Sequence, residues 1–163
     1  MKKIIVTLAL ILPLAVSAQK FGHINSQDIF QQMPERTVVQ QKMDTLMSQY
    51  ESQMANMQEE INKKITDYQQ NQATMADAIK QIRGQEITEM QQRYELFVQT
   101  AQQDLQKKQQ ELLTPVYEKM QKAVKTVGDA NSYTYIFDAA AMTYISPDAD
   151  DVTPLVKKEL GIK

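Results

Sequence analysis

Residues able to carry out chemistry are few and far apart in this chain of 163 residues. The sequence contains one histidine, His23, and no cysteine, so it offers neither thiolates nor an imidazole pair for a zinc site. Asp148, Asp150 and Asp151 lie close together, but the glycine that an EF-hand calcium loop needs at its sharp turn is absent. A turn followed by carboxylates at a helix start explains this cluster. The sequence therefore predicts no metal site, no cofactor and no catalytic residue.

Glycine-rich phosphate loops are absent as well. The four glycines (Gly22, Gly84, Gly128 and Gly161) are widely separated, so neither a GxxxxGK nor a GxGxxG motif can be formed. Without such a loop, we expect no ATP-driven activity. No nucleophile–base pair stands out either, and the sequence predicts that the protein is not an enzyme.

The first eighteen residues have the pattern of a secretory signal peptide. Lys2 and Lys3 precede an apolar run that is too short to span a bilayer, and Val16-Ser17-Ala18 forms a small-residue cleavage site. We expect cleavage after Ala18 and export. Removal of this segment leaves 16 basic residues against 20 acidic ones, a formal charge of −4. This charge argues against a nucleic-acid partner.

Apolar residues recur every eleven positions between Thr37 and Val127. The rows are Met43, Leu46, Tyr50, Met54, Met57, Ile61, Ile65 and Tyr68 in the first half, and Met90, Ala101, Leu112, Ala123, Tyr94, Leu105, Val116 and Val127 in the second. An eleven-residue repeat corresponds to about 3.67 residues per turn, which keeps the apolar seam on one side of a nearly straight or slightly right-handed helix pair. The pattern predicts an antiparallel coiled-coil hairpin.

The turn of this hairpin has two candidate positions. Asn71 and the sequence Thr74-Met75-Ala76-Asp77, which resembles a helix capping box, favour a turn at 71–77. Gly84, the only glycine inside the run, is the alternative. Pro115 predicts a kink in the second helix where the arm enters the rest of the protein, because proline removes a backbone hydrogen bond.

The two ends of the chain show patterns of short strands and helices. The predicted elements are strands at 21–25, 133–138 and 142–145, a helix at 27–33 capped by Asn25 or Ser26 and broken at Pro34, a long helix capped by Thr37, and a final helix capped by Thr153 with Pro154 at its first position. The sequence thus predicts an α+β fold, mainly α. A small β body is formed by 19–36 and 128–163, and the helical arm 37–127 is inserted between its strands.

Short motifs at both ends are similar to those of a known family. They are Phe21-Gly22-His23-Ile24-Asn25 and Ile29-Phe30-Gln31-Gln32 at the start, and Ala123-Val124-Lys125-Thr126-Val127, Tyr135-Ile136-Phe137-Asp138-Ala139 and Tyr144 at the end. With the hairpin between them, they resemble the Skp/OmpH family of periplasmic chaperones. The resemblance implies a homotrimer whose strands form a central body, with three arms around a cavity. It also implies an ATP-independent holdase that keeps unfolded outer-membrane proteins soluble in the periplasm.

Two sets of residues are candidates for these roles. Those expected to matter for trimer assembly are Phe21, Ile24, Phe30, Ile136, Phe137 and Tyr144. Met47 and Met75 fall off the eleven-residue rows and are candidates for client contact, because unbranched thioether chains adapt to irregular partners. Val98, beside the seam residue Phe97, is a third candidate.

One feature departs from the family pattern of positively charged arms. Residues 59–89 contain the bases Lys63, Lys64, Lys80 and Arg83 against the acids Glu59, Glu60, Asp67, Asp77, Glu86 and Glu89. The sequence therefore does not predict contact with lipid or lipopolysaccharide. The main alternative function is that of a structural envelope coiled-coil protein that binds one fixed partner.

Overall fold

The computed structural model describes residues 19–162, and the predicted signal peptide lies outside the described residues. The elements in order are β1 (Phe21–Ile24), α1 (Ser26–Gln32), α2 (Pro34–Asn71), α3 (Asp77–Ala130), β2 (Tyr135–Asp138), a single 3₁₀ turn (Ala139–Ala141), β3 (Asp150–Asp151) and α4 (Thr153–Glu159). Helices α2 and α3 form a long hairpin inserted between the first two strands. The predicted fold class, α+β and mainly α, is confirmed.

The sheet joins the two ends of the chain. Its strand order is β2-β1-β3, and β1 pairs in parallel with both neighbours, so that Gly22 lies opposite Ile136 on one side and Asp150 on the other. Gly22 is closely surrounded: a Cβ atom at this position would lie 3.1 Å from side-chain atoms of both Tyr133 and Val152. Glycine is therefore the residue that lets the central strand lie this close to its neighbours.

The predicted third strand at 142–145 is wrong. That segment forms no strand, and its side chains are largely outside the core, with Tyr144 76% exposed. The strand that pairs with β1 follows the turn at Pro147, because Val152 is fully buried there and its backbone N–H donates to the carbonyl of His23 at 2.9 Å. The burial of Val152, and not the alternating pattern at 142–145, therefore determines which segment pairs with β1.

The core lies where the body meets the base of the arm. Its fully buried side chains are Ile29, Met33, Val152 and Val156, which come from α1, α4 and the residues just before α2 and α4. They pack against the body ends of α2 and α3 through Val39, Val116, Met120, Ala123 and Val127. The two chain ends are thus held together by one small apolar cluster.

The observed starts of the helices in the body agree only in part with the predicted ones. Asn25 caps α1, as predicted, because its Oδ1 accepts a hydrogen bond from the Asp28 N–H at 2.9 Å. Helix α2 begins at Pro34 and not at Thr37, since proline fits the first turn, where its missing N–H costs nothing. Thr153 does not cap α4; it is the first residue of the helix, and its Oγ1 accepts from the Asn25 N–H at 2.9 Å.

The hairpin turn occupies residues 72–76, at the first of its two candidate positions, and Gly84 lies inside α3. The predicted capping box does not form. Ala76 precedes the helix without a side-chain cap, while the Thr74 hydroxyl donates to the carbonyl of Asn71 at 3.1 Å. Helix α3 is unbroken at Pro115.

The eleven-residue rows form the contact between the two long helices. Most of their side chains are half-buried, Ile61 and Ala101 are buried within the arm, and Val116, Ala123 and Val127 are buried in the core at its base, whereas most residues between the rows are exposed. The Tyr50 hydroxyl donates to Asp104 Oδ2 at 2.8 Å across the pair. With α2 containing 38 residues at about 1.5 Å each, the arm is on the order of 57 Å long.

We expect the stability of the body to fall below about pH 4. The ammonium group of Lys157, 2.6 Å from Asp28 Oδ2, holds the pKa of Asp28 below its ordinary value of 3.8. The Ser26 hydroxyl, which donates to Asp138, lowers the pKa of Asp138 in the same way. A carboxyl whose folded pKa is depressed stabilises the fold above its ordinary pKa, and this contribution is lost as the pH falls through the lowered value.

Urea unfolding at about pH 6 and about pH 3 checks this dependence. The wild-type midpoint should be lower at the acidic pH. The difference should shrink in the Asp28→Asn Asp138→Asn variant, which lacks both ionisable groups. A double variant that loses as much stability as the wild type on acidification would show that other groups dominate.

Candidate functional site

Metal-binding clusters are missing from residues 19–162. No group of three or more His, Asp or Glu side chains is placed to hold a metal there. Over the same range, no helix has the length and apolar character needed to cross a bilayer. His23 lies on β1 in register with Phe137, and its buried Nδ1 has no hydrogen-bond partner among the described residues. Two apolar surfaces of the described residues are the candidate sites.

The first surface is the open face of the sheet, formed by Phe21, Tyr135 and Phe137. Alternation along β1 directs Gly22 and Ile24 into the core and leaves Phe21 on the opposite side. The ring centroids of Phe21 and Tyr135 are 5.9 Å apart, and those of Phe21 and Phe137 are 6.4 Å apart. The three side chains remain 49%, 57% and 42% exposed. Three stacked rings in contact with water form an apolar patch suited to association.

The residues predicted for trimer assembly divide into two groups. Phe21 and Phe137 lie together on the open face, and Tyr144 is exposed in the segment after β2. The others belong to the core of a single chain: Ile24 is 7% exposed, Ile136 packs against the core cluster, and Phe30 stacks on Tyr117 with centroids 4.9 Å apart. Sequence reasoning missed Tyr135, although its position two residues before Phe137 on one strand places it on the same face.

The second surface is a groove of about 480 Å³ at the base of the arm, which we call the arm-base groove. Its lining consists of Phe30 from α1, Arg36, Val39, Gln40, Met43, Asp44 and Met47 from α2, and Leu105, Gln106, Gln109 and Leu113 from α3. Apolar side chains contribute six of these eleven residues. A neighbouring depression continues past Gln109 and Leu113 to Tyr117.

Helical spacing explains how these residues share one side of the arm. Arg36, Gln40, Asp44 and Met47 follow one another at steps of four, four and three, so they form a single stripe along α2. Eleven residues at about 1.5 Å each give this stripe a length of about 16 Å. Sequence reasoning identified Met47 but missed the groove, because its other wall comes from α3 in antiparallel register.

The candidate client residues lie at different levels of the arm. Met47 is 47% exposed and lines the groove. Met75 is half-buried in the turn at 72–76, and Val98 is half-buried on α3 between these two levels. The structure thus does not bring the three together. Two further apolar side chains that fall off the rows, Ile82 and Leu96, are 62% and 63% exposed.

Three cations of the outer arm lie beside carboxylates. Lys64 Nζ lies 2.6 Å from Glu86 Oε1 and lowers the pKa of Glu86 by donating a hydrogen bond to it. Arg83 pairs with Asp67 across the hairpin, and Lys80 Nζ lies 3.1 Å from Asp77 Oδ1. Each of these cations therefore has a carboxylate beside it, which weakens any positive field at the arm tip.

Together, these features define a class of α+β protein in which a small parallel sheet, open and aromatic on one face, carries one long helical hairpin. Residues 20–160 match the family model described as "Outer membrane protein (OmpH-like)", and the chain belongs to this family. The resemblance noted at both chain ends is thereby confirmed.

Similar proteins carry the name "Chaperone protein Skp". The relative from Yersinia enterocolitica is 25% identical over 93% of this chain and 92% of its own length. The relative from Pectobacterium atrosepticum is 27% identical over 98% of this chain and 99% of its own. A solved structure of an OmpH-like protein from Caulobacter crescentus has the same fold, with a TM-score of 0.77 and 15% identity over 87% of this chain and 83% of that one.

Proposed function

We propose that this protein is a periplasmic chaperone that binds unfolded outer-membrane proteins and prevents their aggregation without ATP or catalysis. The observation that carries the proposal is the set of apolar side chains left exposed along a long hairpin, with Met47, Ile82 and Leu96 each about half exposed or more. Such side chains cannot all be covered by a two-helix arm, so they are available to unfolded chains. The names of the relatives support the same function.

The proposal includes a homotrimer assembled through the open face of the sheet. Phe21, Tyr135 and Phe137 form an apolar patch that burial against other copies would remove from water. Three arms projecting from this body would enclose a space for clients. Export with cleavage after Ala18 is part of the same proposal. The paired charges of the outer arm support the view that neither lipid nor nucleic acid is a main partner.

Dilution of a urea-denatured outer-membrane barrel protein tests the proposal. With the mature protein present and no ATP, turbidity should be suppressed, and light scattering should give three times the mass of one chain. Serum albumin at the same mass concentration serves as the control for non-specific crowding. Full turbidity in the presence of this protein would contradict the proposal. A stoichiometric complex with one folded envelope protein, without suppression, would instead favour the structural coiled-coil alternative.

A further inference from the structure

We infer that the arm-base groove binds an extended client segment of about five residues with alternating apolar and polar side chains, through apolar contact and amide hydrogen bonds and not through charge. The inference rests on the proposed chaperone function and identifies where on the arm, and by which chemistry, a client is held. Four features of the groove support it: its length, its floor, its rim and its charge balance.

The length of the groove suits an extended chain. The α2 stripe from Arg36 to Met47 is about 16 Å long, and an extended chain rises about 3.3 Å per residue, so about five residues fit. Side chains on one face of such a segment recur about every 6.7 Å, which places two or three of them against the floor. Strands of outer-membrane barrels alternate in this way, with apolar residues on the face that meets lipid.

The floor of the groove is apolar and adaptable. Val39 is almost fully buried beneath it, and Met43 and Leu113 are half-buried beside Val39. Met47 adds a thioether chain that is 47% exposed at the outer end. Because methionine side chains are unbranched and flexible, such a floor accepts different apolar side chains without demanding one shape.

The rim supplies amide groups for the backbone of the client. Gln106 and Gln109 are exposed on the α3 side, and each amide offers both donors and an acceptor. On the α2 side, Gln40 Nε2 donates to Asp44 Oδ1 at 2.7 Å, which fixes the direction of this amide. A client segment that has not yet folded has no neighbouring strand to pair with. Its backbone N–H and C=O groups therefore need such partners when they leave water.

The charges of the groove balance. Arg36 and Asp44 are its only charged lining residues, and they lie two helical turns apart on one stripe of α2. A neutral groove has no net field to attract a client of one sign. Binding should therefore change little with salt, because screening acts on unbalanced charge and leaves apolar contact intact.

Fluorescence anisotropy with a labelled, urea-denatured outer-membrane barrel protein tests the inference on the mature protein. The Met47→Glu Gln109→Glu variant places two carboxylates at exposed positions of the groove, where a bound apolar segment would have to desolvate them. We expect its Kd to rise about tenfold or more. The Gln53→Glu Gln103→Glu variant, which introduces two carboxylates at exposed arm positions outside the groove, is the control and should change Kd by less than about twofold. Circular dichroism should show unchanged helix content in both variants.

The outcomes separate the inference from the proposed function. If the wild type does not bind the client, the proposed function fails and the groove assignment fails with it. If the wild type binds but the groove variant binds equally well, or the Gln53→Glu Gln103→Glu variant weakens binding as much, only the groove assignment fails. A wild-type Kd that rises more than about tenfold between about 50 mM and about 500 mM NaCl would overturn the neutral binding mode.

Discussion

The Phe137→Asp variant should be a single chain in solution, with no ability to suppress aggregation of a denatured barrel protein. Phe137 stacks with Tyr135 at 5.9 Å on the open face of the sheet and is 42% exposed in the isolated chain. A carboxylate there remains hydrated in one chain, so the fold should persist. In an assembled body it would lie unpaired between apolar rings, which is strongly unfavourable. Light scattering should give one third of the wild-type mass.

The Leu96→Asp variant is the control for this experiment, because it adds the same charge at an exposed position of the arm, away from the sheet. It should keep the wild-type mass. A Phe137→Asp variant that stays trimeric would refute the placement of the interface on the open face. Ile136→Asp, at another of the residues predicted for trimer assembly, is less informative, because Ile136 packs against the core of its own chain.

The Ile29→Ala variant should lose about 2–5 kcal/mol of unfolding free energy, which is the usual cost of truncating a large buried aliphatic side chain. Ile29 is 0% exposed and lies in the small cluster that holds both chain ends together. Proteins have total stabilities of about 5–15 kcal/mol, so a loss of this size is a substantial part of the whole. Urea unfolding followed by circular dichroism measures it, at one fixed chain concentration because assembly contributes to apparent stability.

The Ile82→Ala variant removes the same atoms at a position that is 62% exposed on α3. Its unfolding free energy should stay within about 0.5 kcal/mol of the wild type, since exposed substitutions rarely do more. Equal losses in the two variants would show that the cluster around Ile29 does not carry the stability of the body.

The long helices were predictable because their signal is periodic over many turns. Rows such as Met43, Met54 and Ile65 recur at one spacing, and the half-buried positions of α2 follow them. Strands β1 and β2 were predictable for a related reason, since Tyr135 and Phe137 alternate with Ile136. The caps were harder, because a side-chain pattern alone does not show whether Thr153 bonds to its own helix or to Asn25.

Neither the third strand nor the arm-base groove could be predicted from the sequence, for a different reason. Two residues, Asp150 and Asp151, are too few to show a period, and they pair because Val152 behind them is drawn into the core. The arm-base groove needs Met47 and Gln109 on neighbouring walls, and their closeness depends on the register of α2 against α3. Register between two helices is a tertiary property, so only part of the candidate site, Met47, could be found from spacing.

The central position of β1 has a consequence for the order in which the protein matures. Strand β1 can pair only when the C-terminal segment is present, and the Asn25 N–H next to it bonds to Thr153, 128 positions later. Contacts this distant in sequence form slowly, whereas a helical hairpin needs only its own local turn. The arm can therefore form before the sheet, and assembly through the open face, as proposed, requires segments from both ends of the chain.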